Sequence, residues 1–174
     1  MNLFKSLGFA AVCVLCVYSI FAQQSTFQDS FLDHLVGKWV LRGELAHKQT
    51  THDILAEWVL GHQYVRLHEI SRESKTNGQP AYEAIVFFGW DQAIREYACL
   101  WLDSTSTSSF GTEGIGRAKR AGDDIPFVFK DDKQQITFRN TFSYDQKADS
   151  WAWRMDNVQD GKDVPFGRVK LTRK

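Results

Sequence analysis

The sequence has little of several features that would assign a function directly. Its 174 residues include only three cysteines and three prolines, and 21 Lys and Arg residues are balanced by 21 Asp and Glu residues. Without a basic excess, the chain has no electrostatic basis for binding nucleic acid or an anionic membrane surface. It has no Gly-x-Ser-x-Gly nucleophile motif, and the glycines of Gly111–Gly116 lack dinucleotide-binding spacing. A nucleic-acid partner, a serine-hydrolase elbow and a Rossmann-type nucleotide site are therefore not expected.

Residues 1–22 have the three parts of an export signal. Lys5 gives a basic start, an uncharged and mainly apolar run extends from Leu7 to Phe21, and the small residue Ala22 precedes a polar stretch. The run is shorter than the roughly 20 apolar residues of a transmembrane helix, so no stable membrane anchor is expected. We expect cleavage after Ala22, a polar lead-in over 23–29 and one domain over 30–174. The protein would then be exported, to the periplasm or the extracellular space.

Cleavage after Ala22 would also remove two of the three cysteines. Cys13 and Cys16 lie in the export signal, so only Cys99 would stay in the domain. One thiol cannot close an intrachain disulfide, and the apolar neighbours of Cys99 predict a buried, unreactive side chain. A domain of this length can be stabilised by its hydrophobic core alone.

The domain has the pattern of an all-β protein. Ser30 and Gly37 have the positions of a helix N-cap and a helix terminator, so a short N-terminal helix is expected between them. After it, turn sequences such as Asn77-Gly78 recur about every ten residues, which is typical of hairpins. The pattern predicts an antiparallel up-and-down β-barrel of ten strands, over residues 38–46, 51–60, 63–73, 81–90, 94–103, 109–119, 124–130, 134–143, 150–158 and 165–173.

Several predicted strands alternate between an apolar face and a polar face. The apolar face carries Ile54 and Ala56 in one strand, Phe138 and Phe142 in another, and Trp151, Trp153 and Met155 in a third. A barrel of ten strands is wide enough to leave an internal cavity, so polar residues on an inner face could line a pocket. The alternation alone does not identify which face points inward.

Gly37-Lys38-Trp39 at the first strand resembles the Gly-x-Trp signature of lipocalins and their calycin relatives, where the Trp seals one end of the barrel. Further motifs follow in an order similar to a bacterial lipocalin-like family that is catalogued as a domain of unknown function. They are Glu57–Gly61, Tyr82-Glu83, Gly89–Asp91, Trp101–Thr107 and Met155–Asn157. The resemblance covers about residues 30–174. It implies a calycin-type β-barrel and no established reaction.

The same group includes nitrobindin-like barrels, which bind haem through a His near the C-terminal strands. The five histidines of this chain are His34, His47, His52, His62 and His68, so that position holds no His. His62 and His68 share one face of a strand, but residues six apart on a strand are roughly 20 Å from each other, too far to bind one metal ion. We expect no cofactor and no metal site; haem bound through an early His is a lesser alternative.

The expected function is the binding of a small, mostly apolar or aromatic molecule inside the barrel. The candidate pocket residues are Trp58, Arg66, His68, Trp101, Asp103 and Trp153, with the rings giving contact area and the polar groups orientation. An alternative is an enzyme in the same barrel that uses Glu57, Glu83 or Asp103 as acid or base. These carboxylates could instead form structural ion pairs or face solvent. A third alternative is an interaction protein that presents the Ser/Thr-rich loop 104–109 to a partner.

Overall fold

The computed structural model describes residues 30–106 and 111–174. The expected export signal, the lead-in and part of the Ser/Thr-rich loop lie outside the described residues. Within them the chain forms one closed antiparallel barrel, in which consecutive strands pair and β1 also pairs with β10. The prediction of an all-β, ten-stranded antiparallel barrel is confirmed. The strands are β1 (Gly37–Leu45), β2 (Lys48–Val59), β3 (Tyr64–Ser71), β4 (Glu83–Asp91), β5 (Glu96–Asp103), β6 (Ile115–Ala118), β7 (Asp124–Lys130), β8 (Ile136–Asp145), β9 (Ser150–Gln159) and β10 (Lys162–Arg173).

The strand boundaries differ most from the predicted ones where a turn lacks the usual residues. β2 begins at Lys48 rather than residue 51, because Ala46 and His47 form the turn with φ values of 48° and 65°. Such a turn favours Asn or Gly, and their absence hid it in the sequence. The sixth strand is short, because Thr112–Gly114 forms a 3-10 turn just before Ile115. β10 starts before Pro165, and a register shift between Pro165 and Gly167 accommodates that proline.

The expected N-terminal helix is only a single turn, α1 (Ser30–Asp33). α1 lies across one end of the barrel, here called the closed end, where Phe31 contacts the Trp151 ring edge-on at 5.3 Å. The indole N–H of Trp39 donates to the Leu35 carbonyl at 2.7 Å. The Arg173 guanidinium stacks over the Trp39 ring at 3.8 Å and donates to the Val36 carbonyl at 2.6 Å. These contacts seal the closed end with aromatic side chains.

Burial identifies the inner face of each strand. In β2 the residues Ile54 and Ala56 are buried, and in β9 the inner face carries Trp151, Trp153 and Met155. The apolar faces seen in the sequence are therefore the faces that point into the barrel. No helix among the described residues has both the length and the apolar character needed to cross a membrane.

Cys99 lies on the inner face of β5 and is fully buried with a free thiol. Burial raises the pKa of this thiol, which keeps it protonated and unreactive at neutral pH. The structure thus agrees with the expectation of a buried cysteine.

Candidate functional site

The half of the barrel away from α1 contains a cavity of about 620 Å³. Its deeper wall is formed by buried residues such as Leu41 and Met155, and its outer part by exposed residues such as Lys48 and Glu113. The cavity therefore opens at the end of the barrel opposite α1. The two halves differ in filling: side chains occupy the closed end, and the other end has room for a small molecule.

Aromatic and aliphatic side chains form much of the cavity wall. Phe138 contacts Phe129 and Phe166 edge-on, with ring centroids 5.9 and 5.8 Å apart. Trp101 on β5 meets Trp153 on β9 with centroids 6.2 Å apart. These two strands lie on different sides of the barrel, so the pair spans its interior. On the side of the filled core, the buried Phe142 packs against Trp153 with ring centroids 4.6 Å apart. The Trp pair therefore separates the filled core from the cavity and forms the cavity floor.

Three polar side chains of the cavity wall, Thr50, His52 and Glu69, form a hydrogen-bonded chain. His52 on β2 and Glu69 on β3 are both almost fully buried, and His52 Nδ1 bonds Glu69 Oε1. The other ring nitrogen of His52 contacts Thr50 Oγ1 at 2.6 Å. Both nitrogens of His52 are therefore engaged, and the carboxylate holds the ring in place. Burial of a polar group costs free energy unless the group is hydrogen-bonded, so the contacts with Glu69 and Thr50 stabilise the buried His52 ring.

Tyr82 connects this chain to the aromatic floor. Its ring stacks on His52 with centroids 5.6 Å apart, and its hydroxyl oxygen accepts the Trp101 indole N–H at 3.0 Å. Burial raises the pKa of the Tyr82 phenol, and the negative charges of Glu69 and Asp103 raise it further. The phenol therefore stays protonated at any physiological pH and acts as a neutral hydrogen-bonding group.

Buried polar atoms without a partner concentrate around the cavity. Six such side-chain atoms occur among the described residues, and four of them belong to the cavity-lining residues Glu69, Asn140 and Trp153. The atoms are Glu69 Oε2, Asn140 Oδ1 and Nδ2, and Trp153 Nε1. An unpaired buried polar group costs about 1–3 kcal/mol. These atoms give the cavity lining an unused capacity for both donating and accepting hydrogen bonds.

The structure divides the six sequence-predicted pocket residues into two groups. Trp101, Asp103 and Trp153 line the cavity. Trp58 lies elsewhere, since its indole donates to Asp33 of α1 at 2.8 Å. The other two, Arg66 and His68, are on the outer face of β3.

Arg66 and His68 project away from the barrel interior, since the alternate residues of β3 are the buried ones. Arg66 pairs with Glu57, and His68 contacts Glu83 at 2.7 Å. Two carboxylates considered as acid or base thus form outer-face pairs, the structural role that the sequence left open. The third, Asp103, accepts hydrogen bonds from the Thr105 amide and hydroxyl at 2.7 and 2.6 Å. The structure does not bring these three carboxylates together.

The sequence prediction of the pocket did not include His52, Glu69, Tyr82 or Asn140. A signal was present for two of them, because His52 and Asn140 interrupt otherwise apolar faces. A polar residue on an inward face needs a partner or a ligand, and this argument becomes usable once the inner face is known. The same argument applies to Glu69 once the inner face of β3 is known, since Glu69 shares that face with the apolar Val65 and Leu67.

No group of three His, Cys, Asp or Glu side chains within 30–106 and 111–174 is arranged to hold a metal ion. Among the described residues that line the cavity, His52 is the one histidine, and its two ring nitrogens are occupied by Glu69 and Thr50. The residues present therefore do not fit a haem ligated by histidine in this cavity. Comparison with known proteins gives no family model and no curated protein that matches the chain, so the resemblance to lipocalin-like families is carried by the sequence motifs alone.

Proposed function

We propose that the protein is an exported, lipocalin-like carrier that holds one small, mostly apolar molecule in the barrel cavity. The observation that carries this proposal is the contrast between the two halves of the barrel. Aromatic packing fills the closed end, and a cavity of about 620 Å³ remains at the other. Pockets of about 300–1,000 Å³ with apolar walls and a few convergent polar groups are typical small-molecule sites.

The arrangement of polar groups favours binding over the acid and base chemistry considered from the sequence. Of the three carboxylates considered there, Glu57 and Glu83 are paired on the outer face, and Asp103 alone borders the cavity. General acid and base catalysis needs its groups within hydrogen-bond reach of one substrate. The cavity instead supplies rings for contact area and a small set of buried groups for orientation.

Calorimetry with a neutral aromatic probe tests this proposal. We expect 2-(1-naphthyl)ethanol to bind with a dissociation constant on the order of 10 μM, as befits a ligand of this size. Leu45→Trp places a large ring in the cavity and should weaken binding at least about tenfold. Leu55→Trp makes the same change on the exposed outer face of β2 and should leave binding unchanged. Absence of binding, or equal weakening in both variants, would contradict the proposal.

The proposed export has its own test. The intact mass of the protein recovered from the periplasm or medium of an expressing bacterium should correspond to a chain that begins at Gln23. A full-length chain retained in the cytoplasm would contradict export and would leave the binding proposal standing.

A further inference from the structure

We infer that the cavity selects a positively charged ligand, an aromatic or apolar molecule that carries an ammonium group. This inference rests on the proposed binding function and specifies the chemistry of the ligand. It goes beyond size and hydrophobicity, because the cavity walls have a strong charge asymmetry that the neutral overall composition conceals.

Four carboxylate side chains line the cavity, and Lys48 is the one Lys or Arg side chain among its described lining residues. The carboxylates are Glu69, Glu73, Asp103 and Glu113. They outnumber the cations whether His52 is neutral or protonated, so the sign of the asymmetry does not depend on that proton. Clefts with one predominant sign of charge and low-dielectric walls concentrate the field and attract ligands of opposite charge. The chain as a whole is neutral, so the asymmetry is local.

The deepest of these carboxylates has an unused acceptor. Glu69 Oε1 is engaged with His52, and Glu69 Oε2 has no hydrogen-bond partner although the side chain is almost fully buried. An ammonium group is rich in donors and forms charge-assisted hydrogen bonds with carboxylate oxygens. Asn140 on β8 has an unused acceptor, Oδ1, across the barrel from β3. The cavity therefore has unused acceptors on two walls, and the one on β3 is a carboxylate oxygen.

Aromatic rings surround the same region. Tyr82 is uncharged and stacks on His52, and its hydroxyl oxygen accepts the hydrogen bond from the Trp101 indole N–H. Trp101 in turn contacts Trp153. The faces of Trp and Tyr rings attract cations by about 0.5–2 kcal/mol, more where water is excluded. A carboxylate beside such rings accepts an ammonium group and repels a carboxylate ligand.

Three probes that differ mainly in their charged end test this inference. They are 2-(1-naphthyl)ethylamine, 2-(1-naphthyl)ethanol and (1-naphthyl)acetate, titrated at pH 7 and low salt by calorimetry. We expect the amine to bind about tenfold more tightly than the alcohol, and the acetate at least about tenfold more weakly than the alcohol. Glu69→Gln should reduce the preference for the amine over the alcohol to about twofold. Glu57→Gln, a matched change on the outer face, should leave the preference intact.

The outcomes separate this inference from the proposed function. If the alcohol binds and the amine binds no more tightly, or the acetate binds best, the ligand is not a cation and the carrier proposal stands. If none of the three probes binds, both proposals fail. Should Glu69→Gln fail to fold, Asp103→Asn at the cavity mouth replaces it, with the same direction and a smaller reduction. The wild-type ranking of the three probes decides the question in either case.

Discussion

Replacing Asn140 with leucine should stabilise the ligand-free barrel. Asn140 is fully buried on the inner face of β8, and neither its Oδ1 nor its Nδ2 atom has a partner. A polar group that loses its water without gaining a hydrogen bond destabilises the folded state. Leucine has the same branched shape and replaces both unpaired atoms with methyl groups, and the adjoining cavity gives these bulkier groups room.

The size of the effect follows from two opposing terms. Removing the unpaired amide should recover about 1–3 kcal/mol, and imperfect packing of a larger side chain should cost about 1 kcal/mol. We therefore expect a net gain of about 0–2 kcal/mol, centred near 1 kcal/mol, in the free energy of unfolding. With a urea m-value of roughly 2 kcal/mol/M, the unfolding midpoint should rise by about 0.5 M.

Urea titrations of the wild type and the variant measure this shift. Asn157→Leu is the matched control, because Asn157 also lines the cavity but is only half-buried. Its unfolding free energy should change by less than about 0.5 kcal/mol. A lower midpoint for Asn140→Leu would mean that Asn140 is hydrogen-bonded in the folded protein and would refute the argument from unpaired atoms. An equal rise in both variants would point to hydrophobicity in general.

Three further predictions concern the barrel itself. Arg173→Ala should lower the free energy of unfolding by about 1–2 kcal/mol in urea titrations, because it removes the stacking on Trp39 and the hydrogen bond to the Val36 carbonyl. An unchanged midpoint would contradict a stabilising role of these contacts at the closed end. Cys99 should react with a thiol reagent only as fast as the barrel unfolds, as followed by peptide mass spectrometry, since burial raises its pKa; rapid labelling of the native protein would contradict this burial. The hydrogen bonds from Arg72 hold the pKa of Asp53 well below its usual range. These bonds therefore stabilise the folded state fully above about pH 4, and the stabilisation is lost as the pH falls through the lowered pKa. The urea midpoint should therefore fall less between pH 6 and pH 3 for Asp53→Asn than for the wild type. Equal falls would contradict the assignment of this stabilisation to Asp53 and Arg72.

Most of the fold was predictable because the strands alternate regularly. Trp151, Trp153 and Met155 share one face in the sequence and lie together inside the barrel. The period of two that produces this pattern is a direct consequence of strand geometry. The turn at Ala46-His47 was missed because neither residue is Gly or Asn, the residues that typically indicate positive φ values. Its conformation is imposed by the register of the flanking strands.

The site was predictable only in part. The alternation of residues along a strand identifies those that share a face, but it does not identify which face points into the barrel. Arg66 and His68 do share a face, but their neighbours Val65 and Leu67 are the ones that point inward. The pairing of His52 with Glu69 joins residues 17 positions apart. Such a contact depends on the register between β2 and β3, which the sequence pattern does not encode at the level of single residues.

The location of the bound ligand tests the central claim most directly. In a ¹⁵N-correlated NMR spectrum, each Trp indole N–H gives one signal, and the barrel has reporters at both ends. Saturation with 2-(1-naphthyl)ethanol should shift the signals of Trp101 and Trp153, which form the cavity floor, and leave those of Trp39 and Trp151 at the closed end unchanged. A spectrum in which no indole signal moves, or in which only the closed-end signals move, would contradict a binding site in the cavity.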